Sequence, residues 1–229
     1  TVGSAQQGLK AASPRFWQAR VLFVVAWCVI MVAVFLVAQD EGRRASLQGL
    51  ALHARHTDGL LGILFSPWLH FDGAHLTGNL FSFSTAVFAL LVVFPKRGVQ
   101  VFLISWLLTS SLVWLFGRPV YHIGASGVIY AVLGFLFFGG LVRRERQMAA
   151  ISLAVLFINQ GFLWGVLPQE GVSWESHLLG LAVGLGLAIA YRKHDPHPAP
   201  DEETEDPELP DRGVWDYDSN LRLSCPVLC

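Results

Sequence analysis

Four residues, from three separate parts of the chain, combine types that together can break an acyl bond. Ser126 sits in Tyr121-His122-Ile123-Gly124-Ala125-Ser126-Gly127-Val128-Ile129-Tyr130, where a polar loop turns into a long apolar segment. A serine hydroxyl becomes a nucleophile when a neighbouring base takes its proton. The flanking glycines, Gly124 and Gly127, suit a backbone that must come close to another helix or to a reacting carbonyl. His177 is a base of the right type, and His75 and Asn79, four residues apart on one helix face, bring a ring N–H and an amide N–H. The hydroxyl, the imidazole and the donors are the parts needed for acyl transfer with a stabilised oxyanion.

Long uncharged runs must position them. Only 14% of the 229 residues are charged, and 53% are hydrophobic, against about 25% charged in soluble chains. Six runs, between Arg20 and Asp40, Asp72 and Lys96, Arg97 and Arg118, Arg118 and Arg143, Arg146 and Glu170, and Glu175 and Arg192, carry no charge. Each is roughly 16 to 24 residues long, near the length that crosses a bilayer. The expected spans are 20–38, 73–94, 99–116, 125–141, 148–167 and 176–191. The first is too long and too apolar for a signal peptide's core, and no cleavage pattern follows it, so it reads as a retained span. The expected fold is an all-α membrane protein: a six-transmembrane-helix bundle over 19–193, after a polar cytoplasmic segment 1–18 and before a disordered acidic cytoplasmic tail, 194–229.

Lys and Arg set the orientation. With the N-terminus inside, ten basic residues fall in inside segments and four (Arg43, Arg44, Arg55, Arg118) outside, so both termini are expected in the cytoplasm. Before Asp195 there are fourteen basic and seven acidic residues, a body of +7; from Asp195 on there are two and ten, a tail of −8. The tail's Pro, Asp and Glu cannot bury a core. Nothing resembles a nucleic-acid-binding basic stripe, and Cys28, Cys225 and Cys229 form neither a disulfide framework nor a metal spacing.

In this topology spans two, four and six all run from outside to inside. His75, Asn79, Ser126 and His177 each lie in the first turns of their spans, so parity alone puts them at one depth below the outer surface. Gly180 and Gly184 form a small-residue ridge on span six, and Gly127, Ala131 and Gly134 form one on span four. Such ridges let helices approach closely, which would bring His177 against Ser126. At a helix start, the Ser126 N–H is unpaired and can join His75 and Asn79 as an oxyanion donor. No acid lies within the spans, so a Ser–His dyad is expected, with Asp72 and Glu175 as interface charges.

Gly124-Ala125-Ser126-Gly127 with Tyr130, His75-x-x-x-Asn79 upstream and His177-Leu-Leu-Gly180-Leu-Ala-Val-Gly184 downstream resemble the rhomboid intramembrane serine proteases. The resemblance covers about residues 20 to 192. It implies Ser126 as nucleophile, His177 as base, and His75, Asn79 and the Ser126 N–H as the oxyanion site, with Gly124 beside it. It also implies Tyr130 packed on the catalytic histidine and His70 in a structural role. Substrates would be membrane proteins cut within or beside a span, with small residues at the cut and helix-weakening residues below it. The protein would be multi-pass in a bacterial inner (plasma) membrane. No cofactor is implied, and the oligomeric state is left open. This chain lacks the Trp-Arg pair of many bacterial members in its first outer loop, and has Ser176 where alanine is commoner.

The alternative is a rhomboid-like module that binds membrane proteins without cutting them. A zinc protease on His70, His75 and His177 lacks the spacing and an intervening carboxylate. A small carrier lacks an internal repeat and a midplane site. Of the other polar groups, His53, His56, His194, His197 and His122 are expected to face water, and Asn159-Gln160 to bond between helices mid-membrane. The apolar stretch 59–69 is expected to lie half-immersed at the interface, and the Pro168- and Gly171-bearing loop 167–174 to cap the site.

Overall fold

The structure, a computed structural model, describes residues 14–169 and 171–194. The expected acidic tail therefore lies, except for His194, outside the described residues, as does most of the N-terminal segment. Eight α-helices occur in the described residues: α1 Pro14–Val37, α2 Glu41–Gln48, α3 Gly62–Phe65, α4 Gly73–Val93, α5 Gly98–Phe116, α6 Ser126–Arg143, α7 Arg146–Ile158 and α8 Trp174–Ala190. Two residue pairs, β1 (Leu52–His53) and β2 (Tyr121–His122), form an antiparallel ladder with Leu52 opposite His122 and His53 opposite Tyr121. Four helices (α1, α4, α5 and α6) are long and apolar enough to cross a membrane, while the apolar parts of α7 and α8 are shorter.

α1 starts at Pro14, within the stretch expected to be a polar lead-in. Proline suits a first helical position, where its missing N–H has no partner to lose. Its outer face stays exposed at Leu22, Val29 and Leu36, as a lipid-facing helix requires. Its inner face packs through Trp27, which meets Phe83 of α4 and Phe102 and Trp106 of α5 at ring distances of 4.9–5.6 Å. The most enclosed helix is α6, with twelve buried residues. Thus the helix that begins with Ser126 runs through the middle of the bundle.

Two ends of the bundle differ in chemistry. At one, Arg20 donates to the Leu91 carbonyl at 2.7 Å, and Arg143 donates to the Tyr191 carbonyl at 2.6 Å while lying over the Phe94 ring. The starts of α4, α6 and α8 lie at the other end.

The expected fifth span, 148–167, is not one continuous α-helix. α7 ends at Ile158, and Gln160–Val166 follows as a 3₁₀ turn. Asn159 ends the helix by folding its amide onto the Val155 carbonyl (2.8 Å) while bonding Thr85 of α4 at 3.1 Å. The interhelical bond is as expected, but it lies at a helix end. Stretch 59–69 folds into α3 between two 3₁₀ turns, Thr57–Gly59 and Ser66–Trp68, and packs on α5.

Candidate active site

Ser126 is the first residue of α6, so its N–H belongs to the four at a helix start without an intrahelical partner. His177 lies in the first turn of α8 and is buried. The two side chains meet, with His177 Nε2 2.8 Å from Ser126 Oγ. They are brought together by backbone contact between α6 and α8. A Cβ on Gly180 would sit 3.0 Å from Tyr130 Cβ, and one on Gly184 would sit 2.6 Å from the Phe135 nitrogen. Both expected ridges are therefore used.

The other nitrogen of His177 fixes the chemistry of the first. Nδ1 lies 2.6 Å from the Gly165 carbonyl, which can only accept, so Nδ1 carries the proton. In the neutral ring Nε2 then holds the lone pair and accepts the Ser126 hydroxyl proton. The Tyr130 ring stacks on His177 at 4.2 Å and 22°. Gly165 was not singled out from the sequence. A Cβ there would lie 2.9 Å from His177 Nδ1 and collide with the Tyr130 hydroxyl. The signal for it was faint: one glycine in an apolar stretch, within the 3₁₀ segment that follows the end of α7.

On α4, Asp72 caps the helix by accepting the His75 N–H at 2.7 Å. The cap orients the turn carrying His75, and one turn later Asn79 is 2% exposed with its amide nitrogen unpartnered among the described residues. Both side chains point at Gly124, whose φ is +104°. A Cβ on Gly124 would lie 2.6 Å from His75 Nε2 and 3.2 Å from Asn79 Nδ2. Only glycine fits this left-handed backbone under two donors. A cavity of about 810 Å³ opens here, lined among others by His75, Asn79, His122, Ser126, Tyr130 and His177.

His122 corrects an expectation. It does not face water; it is 4% exposed, and it lines the cavity. The β1–β2 ladder supplies the reason. Neighbouring residues of a strand point to opposite faces, so Tyr121 turns out to solvent and His122 turns in. Its Nε2 donates to the Arg118 carbonyl at 3.0 Å and its Nδ1 meets Ser173 Oγ at 2.5 Å. Burial pushes its imidazole below the ordinary value, against the Arg118 carbonyl, which favours the protonated ring. Ser173 bonds Ser176 in turn, which ties β2 to the residue before His177. Glu175 takes a bidentate grip from Arg118, so neither it nor Asp72 bonds His177.

His70 lies just before α4, its Nδ1 donating to the Trp68 carbonyl at 3.2 Å and its ring edge-on to His75 at 5.1 Å. Burial, with His75 adding to it, pushes its imidazole down to about 4. A neutral ring there fits a packing role. His56 is exposed as expected, whereas His53 is half-buried against Tyr121.

Known proteins are similar in sequence to this chain. A family profile described as the Rhomboid domain matches residues 57–194. The chain is 34% identical over 175 residues to an uncharacterized protein of Mycobacterium tuberculosis, 72% of each chain being covered. It is 33% identical over 183 residues to an uncharacterized protein of Mycobacterium leprae, covering 75% of this chain and 71% of that one. It is also 26% identical over 175 residues to the rhomboid protease GlpG of Pectobacterium atrosepticum, covering 73% of this chain and 63% of that protein. With four helices fit to cross a membrane and a family match over more than half its length, the chain is an integral membrane protein of the rhomboid family.

Proposed function

We propose that this protein is an intramembrane serine endopeptidase that cuts membrane-protein substrates with a Ser126–His177 dyad. The observation that carries the reading is the 2.8 Å contact of His177 Nε2 with Ser126 Oγ, backed by the Nδ1 bond to the Gly165 carbonyl. Ser126 Oγ attacks the scissile carbonyl carbon as its proton passes to Nε2. The carbonyl oxygen takes up the negative charge, and the tetrahedral adduct collapses when Nε2 returns that proton to the leaving amine. Water then enters by the same route and frees the serine. The Asn79 amide, His75 and the Ser126 N–H are the donors for the oxyanion, and the unpartnered, buried Asn79 nitrogen supports that role. A buried amide without a partner costs about 1–3 kcal/mol, a cost that a transition-state oxyanion would offset. Tyr130 holds the imidazole plane by stacking.

In this reading all six spans cross the bilayer with both termini inside. α8 has 17 residues, about 26 Å of helix. α7 with 13 residues, continued by the seven-residue 3₁₀ turn, reaches about 34 Å. Both are near the roughly 30 Å of a hydrocarbon core. The site then lies close to the outer surface, and Gly171, Val172 and Ser173 of the loop before α8 form part of its rim. A module that binds without cutting has no use for a polarised Ser–His pair.

Labelling with a fluorescent fluorophosphonate tests the dyad without a known substrate. The wild type should label, and Ser126→Ala and His177→Ala should not, although both stay folded. A folded wild type that does not label would sink the proposal in favour of the non-cutting module.

A further inference from the structure

A second cluster of ligating side chains lies outside the cavity, at the end of β1 and on the turn that follows it. His53, His56 and Asp58 place one ligand atom each so that all three fall within 4.8 Å of one another. Both carboxylate oxygens of Asp58 lie 3.2 Å from His53 Nδ1. For ligands about 2.1 Å from a tetrahedral ion, the separation between neighbouring donors is about 3.4 Å. His53 Nδ1 and the Asp58 carboxylate hydrogen-bond each other directly, and an ion that replaced the shared proton would find its two ligands near that spacing. The His56 ring stacks on His53 at 3.9 Å and 8°. It is exposed, so the ring is free to leave the stack, as it must to aim its nitrogen at an ion shared with His53.

The turn that carries them is firmly built. Arg55, between the two histidines, takes a left-handed φ of 64°, a conformation that costs a non-glycine residue about 1 kcal/mol or more. Three hydrogen bonds hold it: Arg55 N–H to the Trp114 carbonyl (2.8 Å), Trp114 Nε1–H to the His56 carbonyl (2.9 Å) and His56 N–H to the His53 carbonyl (3.3 Å). Behind it, Gly59 lies directly against the His53 backbone, with no room for a Cβ. This backbone presents the His56 imidazole and the Asp58 carboxylate to solvent, beside a half-buried His53.

We infer that His53, His56 and Asp58 form a binding site for a divalent ion of the zinc class. Two neutral imidazoles and one carboxylate are a borderline donor set that suits Zn²⁺, with water at the fourth position. The ion would also clamp the cavity rim. His53 is paired in the ladder with Tyr121 and stacks on its ring at 4.4 Å, and the next residue, His122, lines the cavity. Because an ion binding only the folded turn stabilises the fold by mass action, it should raise the melting temperature.

The full-length protein in detergent, stripped with a chelator, is titrated with Zn²⁺ beside His56→Gln and Asp58→Asn. Both replaced residues are exposed, and equal melting of the three proteins without metal checks that the fold is kept. All other thiols and imidazoles are common to the three and cancel. The wild type should bind one equivalent that each variant binds at least about ten-fold more weakly, and only the wild type should gain in melting temperature through that site. Co²⁺ in place of Zn²⁺ should give visible absorption bands that either variant loses. Equal stoichiometry, affinity and Co²⁺ spectra in all three would overturn the inference. None of these readouts depends on whether Ser126 is a nucleophile.

Discussion

The α6–α8 contact and the aromatic cluster on α1 hold the bundle together by opposite means. Between α6 and α8, backbone lies against backbone. Gly180 and Gly184 leave no space for a Cβ, and Gly127 and Gly134 leave little. Around Trp27, large side chains fill the space between α1, α4 and α5, with rings of Phe83, Phe102, Trp68 and Trp106 at 4.9–5.6 Å. In lipid, helices associate through packing, since burying apolar surface from acyl chains gains little. The first contact therefore stabilises through close approach and fixes distance; the second stabilises through contact area and leaves the helices some latitude. The 2.8 Å pair of Ser126 and His177 is built across the first.

If so, substitutions should separate geometry from stability. The largest effect is expected for Gly184→Val. Its side chain would run into the Ala131 carbonyl and the Phe135 nitrogen, prying α8 off α6 two turns from His177. Fluorophosphonate labelling should fall more than about 100-fold, the loss typical of a reacting group misplaced by about 1 Å. Retained labelling would mean that the dyad is not held by this ridge. Trp27→Ala comes next, at about 3–5 kcal/mol of unfolding free energy. Labelling of the protein that remains folded should stay within about two-fold of wild type. Trp27→Phe should recover most of the stability, since the indole N–H is buried without a partner among the described residues. Should Trp27→Ala destroy labelling in folded protein, the two contacts would be one mechanical unit.

α4 takes part in both regions, which makes Asn79 informative. Its neighbour Phe83, one turn further, belongs to the aromatic cluster, while Asn79 itself faces Gly124. Asn79→Ala should cost about 3 kcal/mol of transition-state stabilisation, roughly 100-fold in kcat, with KM for a cleaved reporter span nearly unchanged. Equal losses in kcat and in affinity would instead make Asn79 a substrate-binding group.

Much of this arrangement was legible in the residues. The uncharged runs gave the helices, and strict alternation of direction placed His75, Asn79, Ser126 and His177 at one end. Small residues about one turn apart, Gly127-Ala131-Gly134 and Gly180-Gly184, named the two faces that meet. Each of these signals is local, repeating within a few turns of one helix. What was missed depends on partners far away in the chain. His122 turns inward because β2 pairs with β1, about seventy residues earlier, and a two-residue strand leaves no periodicity to read. Gly165 matters because Tyr130 and His177 close over it, and nothing near it in sequence says so. The expected fifth span ran on to Leu167 because apolar composition does not distinguish an α-helix from the 3₁₀ turn that ends it.

The smallest expected effect tests where the comparison stops. Asn159 of the α7 end bonds Thr85 of α4 at 3.1 Å and the Val155 carbonyl at 2.8 Å, and it is buried. Asn159→Leu removes the interhelical bond and leaves the Thr85 hydroxyl with acceptors on its own helix, the Phe81 and Ser82 carbonyls. Such bonds average about 0.6 kcal/mol in membranes, because the separated helices also find partners. Unfolding free energy should drop by about that much, and labelling should stay within about two-fold. A ten-fold loss of labelling at unchanged stability would be a different result. The 3₁₀ turn that presents the Gly165 carbonyl to His177 begins one residue after Asn159. Such a loss would mean that the Thr85–Asn159 bond sets the height of that carbonyl, and with it the imidazole. The close-tolerance region would then extend from the α6–α8 ridge to the end of α7.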